Sequence, residues 1–179
     1  MHKKIDLHIH TTCSDGTFSP KEIIDIAIQN GVDAISITDH DSIKSYTSEL
    51  FEYAKNREIT LIPGVEMSTR YYGIGIHVLG YNFDINNKEL LNCLSLLQNA
   101  RIDYLLDVSK LLINLGYIVH TNELKTLPSV TKAHIANDIV TNKENYDLLM
   151  KVFNHIPSKG EFIEAIMNEG CLAYTKNFR

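Results

Sequence analysis

The sequence predicts an α/β fold: consecutive βα units on a parallel sheet or barrel, with a helical subdomain set into it. Three observations lead there. Short apolar runs rich in β-branched residues recur at 5–9, 34–38, 61–68 and 75–81. Amphipathic helical patterns fill the first gaps between them. A long leucine-rich stretch of helical period then follows, with no further β-branched runs.

The first run alternates Ile5, Leu7 and Ile9 with Asp6, His8 and His10. A strand sends alternate side chains to opposite faces, so one face is expected to be aliphatic and buried. The other carries a carboxylate and two imidazoles within about 7 Å, at a rise of roughly 3.3 Å per residue. Neutral imidazoles side by side on a half-buried strand need partners, and imidazole is the commonest metal-ligating side chain. Asp15 follows in the next loop.

Ser19 and Pro20 read as the N-cap and first residue of a helix over 20–30, with Ile23, Ile24, Ala27 and Ile28 on one face and Gly31 as its stop. The run at 34–38 is a second strand that ends in Asp39, His40 and Asp41. A second helix is expected over 42–56, with Ile43, Tyr46, Leu50 and Tyr53 at helical spacing. The third run, 61–68, is punctuated by Pro63 and Gly64 and places Glu66 near its end. The fourth carries His77 inside alternating apolar residues, where a satisfied strand histidine is the plain alternative to a ligand. Arg70, Tyr71 and Tyr72 lie between the last two runs and read as an exposed hairpin. Functional groups of parallel βα barrels collect at the C-terminal ends of the strands, where the pattern puts His8, His10, Asp15, His40 and Glu66.

Taken together, DLHIHTTCSDG, ITDHD, GVEMS and HVLGY resemble, in order and spacing, the PHP (polymerase and histidinol phosphatase) family. They are most similar to its small metal-dependent phosphoesterases, the nucleotide or bisphosphonucleoside phosphatases and 5′-3′ exoribonucleases. The resemblance implies a distorted seven-stranded β/α barrel, incomplete in this chain, holding two or three divalent ions (Mn, Zn or Fe). By position, His8 and His10 would hold the first ion, Glu66 would bridge it to a second that also takes His77, and Asp15 with His40 would hold a third. Asp6 and Asp41 are read as residues that orient the ligands or cap loops. The family completes its site with an AHP-type histidine and a late SDxH-type pair, and neither motif occurs before Arg179, so a C-terminally truncated chain is expected.

The resemblance also implies an inserted helical subdomain over 88–170, between the motif-bearing 1–87 and a return segment at 171–179. Helices are expected over 87–115, ended by Gly116, and over 132–141, 143–153 and 159–168. Arg101, Lys132 and His134 stand where the subgroup presents phosphate-contacting residues, with a lysine where arginine is usual. The plain alternatives are a solvated helix charge for Arg101 and a packed helix N-terminal residue for His134.

The expected function is hydrolysis of phosphate esters of nucleotides, nucleoside bisphosphates or short RNA 5′ ends by metal-activated water. The alternative is a catalytically impaired metal-binding or scaffolding module. At 179 residues, with formal charge −5 and pI near 5.9, the chain lacks the broad basic surface that grips duplex nucleic acid. No apolar stretch approaches the roughly 20 residues needed to span a membrane. Cys13, Cys93 and Cys171 lack CxxC spacing, and no signal-peptide pattern is visible, which points to a cytoplasmic setting.

Overall fold

The computed structural model describes residues 3–175, which divide into two compact units, 3–98 and 99–175. The last residues of the expected return segment, 176–179, lie outside the described residues.

The first unit is mixed α/β. Strands β1 (Ile5–Ile9), β2 (Ala34–Ile37) and β3 (Thr60–Leu61) form a parallel sheet in that order. Strands β4 (Gly64–Tyr71) and β5 (Ile74–Tyr81) form an antiparallel hairpin, and among the described residues neither sheet closes. The run expected as one strand over 61–68 is therefore broken at Ile62 and Pro63: β3 pairs with the parallel sheet, and β4 turns away to pair with β5. Proline cannot donate to a ladder, which favours a break there. Gly64 opens β4 where a Cβ would collide with the Ser36 hydroxyl and crowd Thr38. Tyr72 (φ 47°) and Gly73 (φ 83°) make the two-residue hairpin turn, whose positive φ values suit the twist of the flanking strands.

Helix α1 (Pro20–Gln29) begins as the sequence indicates, with Ser19 and Glu22 completing a capping box. Helix α2 (Ser48–Asn56) starts six residues later than expected, capped by Thr47. The preceding stretch is drawn instead into buried turns. There Tyr46 places its hydroxyl among backbone groups, accepting from Ile37 (3.0 Å) and Gly64 (2.8 Å) and donating to the Ile37 carbonyl (2.6 Å). Burial pushes that phenol up to about 12. The core of this unit is Ile24, Ile35, Ile37, Leu50 and Ala54.

One expectation about β1 fails. Ile5 (58% exposed) and Leu7 (37%) are not buried, because too little of the described chain covers that side of β1, whose pairing with β2 also slips between Asp6 and Ile9. Such an irregularity re-aims side chains and loosens strict alternation.

Helix α3 (Lys88–Asn114) runs across the boundary between the units and ends before Gly116 (φ 95°). The second unit continues with α4 (Thr121–Leu124), α5 (Lys132–Thr141), α6 (Tyr146–Phe153) and α7 (Lys159–Phe162), which passes into a wider turn over Ile163–Met167. All its regular elements among the described residues are helical. Leu105, Val108, Leu112, Ile135, Ile139, Leu149, Phe162 and Met167 form its core.

Candidate metal centre

His8, His10, Asp15, His40, Glu66 and His77 converge. They fall into three overlapping groups whose potential ligand atoms lie within 4.8 Å of one another: His8, His10 and Glu66; His10, Asp15 and His40; His40, Glu66 and His77. Glu66 is the hub. Its Oε2 lies 3.1 Å from His8 Nε2, 3.0 Å from His10 Nε2 and 3.6 Å from His40 Nδ1, while Oε1 meets His77 Nδ1 at 2.7 Å. Asp15 approaches His10 Nδ1 and His40 Nε2, each at 3.7 Å.

The hairpin explains how one carboxylate meets so many rings. Glu66 sits third in β4, not at a strand end, and its backbone forms an isolated parallel bridge with His40. The register pairs Glu66 with Leu79 and Ser68 with His77, so Glu66 and His77 share one face. His77 thus arrives on an antiparallel strand, not from a further parallel βα unit. Burial alone would raise the Glu66 carboxyl, but hydrogen bonds from His8 and His77 and the charge of His40 outweigh it and hold the group below its usual range.

The donor set fits a divalent cation. His8 Nε2, His10 Nε2 and Glu66 Oε2 form a triangle with edges of 3.0, 3.1 and 3.3 Å. That is the size of one face of a tetrahedral or octahedral shell whose metal–ligand distances are about 2.0–2.1 Å. Two imidazole nitrogens 3.3 Å apart cannot both present protons to each other, so at least one of them offers a lone pair.

Asp6 and Asp41 bond backbone beside the ligands, and Asp39 joins them. Asp6 accepts the backbone amide of His8 (3.3 Å). Asp41, buried and at φ 48°, takes the Ser68 amide on Oδ1 (2.7 Å), and its own amide donates to the Glu66 carbonyl (2.9 Å). Asp39, to which the sequence assigns no role, is fully buried and accepts from Thr11 N (2.7 Å), Thr11 Oγ1 (2.7 Å) and Ser14 Oγ (2.6 Å). Its signal was available: an acidic residue leaving an all-buried strand must find donors. Cys13 is half-buried, and burial raises its thiol pKa, away from the reactive thiolate.

Arg101, Lys132 and His134 lie in the second unit. Arg101 is buried and donates to the Val130 carbonyl (3.1 Å). Lys132 Nζ lies 3.4 Å from Asn168 Oδ1, and burial lowers its pKa. His134 Nδ1 accepts the Thr131 amide (3.1 Å) and completes the cap of α5. His120 and His155 pair with Asp138 and Glu161.

The chain is 37% identical over 142 residues to a 5′-3′ exoribonuclease of Haemophilus influenzae, a match covering 78% of this chain and 52% of that protein. It is 31% identical over 99 residues to a 3′,5′-nucleoside bisphosphate phosphatase of Chromobacterium violaceum, covering 55% of this chain and 34% of that one. It spans about half the length of the first of these curated relatives. A C. violaceum amidohydrolase structure with bound sulfate shares the fold at a TM-score of 0.79 and 22% identity, over 96% of this chain and 58% of that chain. No described helix is long and apolar enough to cross a membrane. The PHP domain profile matches residues 6–176, a span that takes in every converging histidine and carboxylate, and the chain belongs to the PHP domain family.

Proposed function

We propose that the chain carries the metal-binding part of a phosphoesterase that hydrolyses phosphate esters of nucleotides, nucleoside bisphosphates or short RNA 5′ ends. The observation that carries this reading is the four imidazoles gathered around the two oxygens of Glu66. His8, His10, Asp15, His40, Glu66 and His77 would hold two or three divalent ions, with Glu66 shared between neighbours. When bound, such ions supply a water of lowered pKa and a clamp for phosphoryl oxygens. The chain's own part is to keep imidazole lone pairs directed inward, hold Glu66 ionised, and fix the Asp15 loop against the strand ends. The fold that accompanies this reading is the distorted β/α barrel, with the segment over 88–170 as a helical insertion. Arg101, Lys132 and His134 are assigned as phosphate contacts of the helical segment. The names of the two curated relatives support a nucleotide or RNA substrate.

The test is metal analysis of the 179-residue chain combined with Mn²⁺-dependent turnover of a nucleoside 3′,5′-bisphosphate and of a 5′-phosphorylated oligoribonucleotide. Metal-stimulated phosphate or nucleotide release that vanishes in Glu66→Gln is the expected result. Tight metal binding with no turnover of either substrate would favour the metal-binding module instead.

A further inference from the structure

We infer that the tip of the β4–β5 hairpin, Arg70 with Tyr71 and Tyr72, is a subsite for single-stranded RNA whose 5′ end lies in the metal centre. This subsite rests on the proposed function and favours an oligoribonucleotide over a mononucleotide among the substrates named there. Glu66, Ser68 and Arg70 alternate along β4 and so share a face, opposite Leu79, His77 and Gly75 of β5. That face runs outward from the metal cluster: Glu66 is buried and Arg70 is exposed. Across from Arg70, a Cβ built on Gly75 would meet no atom within 4 Å among the described residues. Neither packing nor a positive φ asks for glycine there, and its effect is to leave the strip beside Arg70 flat.

The turn adds a second observation. Tyr72 holds φ 47°, a left-handed position that Asn, Asp or Gly takes more readily than a bulky residue. It is 88% exposed, so the ring contributes nothing to the core. Backbone strain of this kind gathers at binding and active sites. The Tyr71 ring is also exposed; the two centroids lie 4.4 Å apart with planes inclined at 77°, so the rings do not stack on each other. Open aromatic faces hold bases of any sequence by stacking, and an arginine beside them pairs with phosphate. Such a platform needs no broad basic surface, which suits a chain of formal charge −5. Tyr72 stands six residues beyond Glu66, roughly 20 Å at about 3.3 Å per residue, or roughly six nucleotides at a stacked rise of about 3.4 Å. A nucleoside bisphosphate anchored at the metal centre falls short of the tip, whereas a longer strand reaches it.

The experiment measures binding, not turnover. The Mn²⁺-loaded chain is titrated with 5′-phosphorylated oligouridylates, from a dinucleotide to a decanucleotide, joined by hydrolysis-resistant phosphorothioates. Wild-type affinity is expected to rise by about tenfold or more once the strand reaches the tip, the gain from a base stacked on an aromatic ring. Tyr72→Asn suits the turn better yet removes the ring, and should flatten that rise; Tyr72→Trp should keep it. A 5-iodouridine placed about six nucleotides from the 5′ end should crosslink to Tyr71 or Tyr72, and one placed at the 5′ end should not. Affinity that does not grow with length, equal growth in Tyr72→Asn, or crosslinking to the tip only from the 5′ end would overturn the subsite. Length-dependent binding with no hydrolysis of native strands would instead overturn the proposed function and leave the subsite standing. Hydrolysis of a nucleoside bisphosphate with length-independent binding would do the reverse.

Discussion

The Asp41 carboxylate and the Ser68 amide are 2.7 Å apart, and this bond fastens the loop bearing His40 to the strand bearing Glu66. Asp41 does so from a left-handed backbone, φ 48°, that non-glycine residues adopt at a cost. Asn is among the few residues that accept both the conformation and the acceptor role. Asp41→Asn should therefore lose less than about 1 kcal/mol, while Asp41→Ala, leaving a buried amide without its partner, should lose about 1–3 kcal/mol. Urea midpoints at constant m-value give the ranking, and equal losses in the two variants would show that the carboxylate is not the fastening.

Tyr46 offers a second test of backbone satisfaction. Removing its hydroxyl orphans the Ile37 and Gly64 amides together. Tyr46→Phe should cost about 2–6 kcal/mol, at roughly 1–3 kcal/mol for each of the two buried amides left unmatched. A thermal melt within a degree of wild type would contradict this.

In the second unit the Asp138 carboxylate bonds His120 and, with its charge, raises the imidazole above its ordinary value; Glu123 and Glu144 act the same way. A raised folded pKa gives stabilisation that is complete below about pH 6.5, the unfolded value, and is lost as pH rises through the folded one. His120→Gln should consequently melt below wild type at pH 6, with the gap closing by pH 9. A gap that stays constant across that range would assign the loss to packing.

Glu66→Gln keeps the shape of the hub and removes its charge. Metal affinity should fall by more than the roughly 10–100-fold that loss of an orienting partner costs. Competition against a chelator measures it. Retention of wild-type affinity would remove Glu66 from the ligand set.

Much of the site was legible in the sequence because the ligands sit in short, strongly patterned runs. His8 and His10, two apart in an alternating run, were expected on one side, and their Nε2 atoms meet at 3.3 Å. The cap at Ser19 and the stop at Gly116 were equally local and equally readable. What escaped was decided by pairing at a distance. The hairpin turn after Arg70 was readable, but Pro63 and Gly64 within 61–68 did not say that the chain changes sheets there, so that Glu66 and His77 become neighbours on one hairpin. The burial of Ile5 and Leu7 failed for the same reason: alternation shows that a strand has two sides, not whether anything covers them. Helix α2 began late because Tyr46 satisfies three backbone groups better than it would serve a helix face.

All the converging donors are encoded between His8 and His77, ahead of the junction at Gln98. The cluster is therefore assembled within a single unit, and every separation that defines it is set by residues of that unit alone.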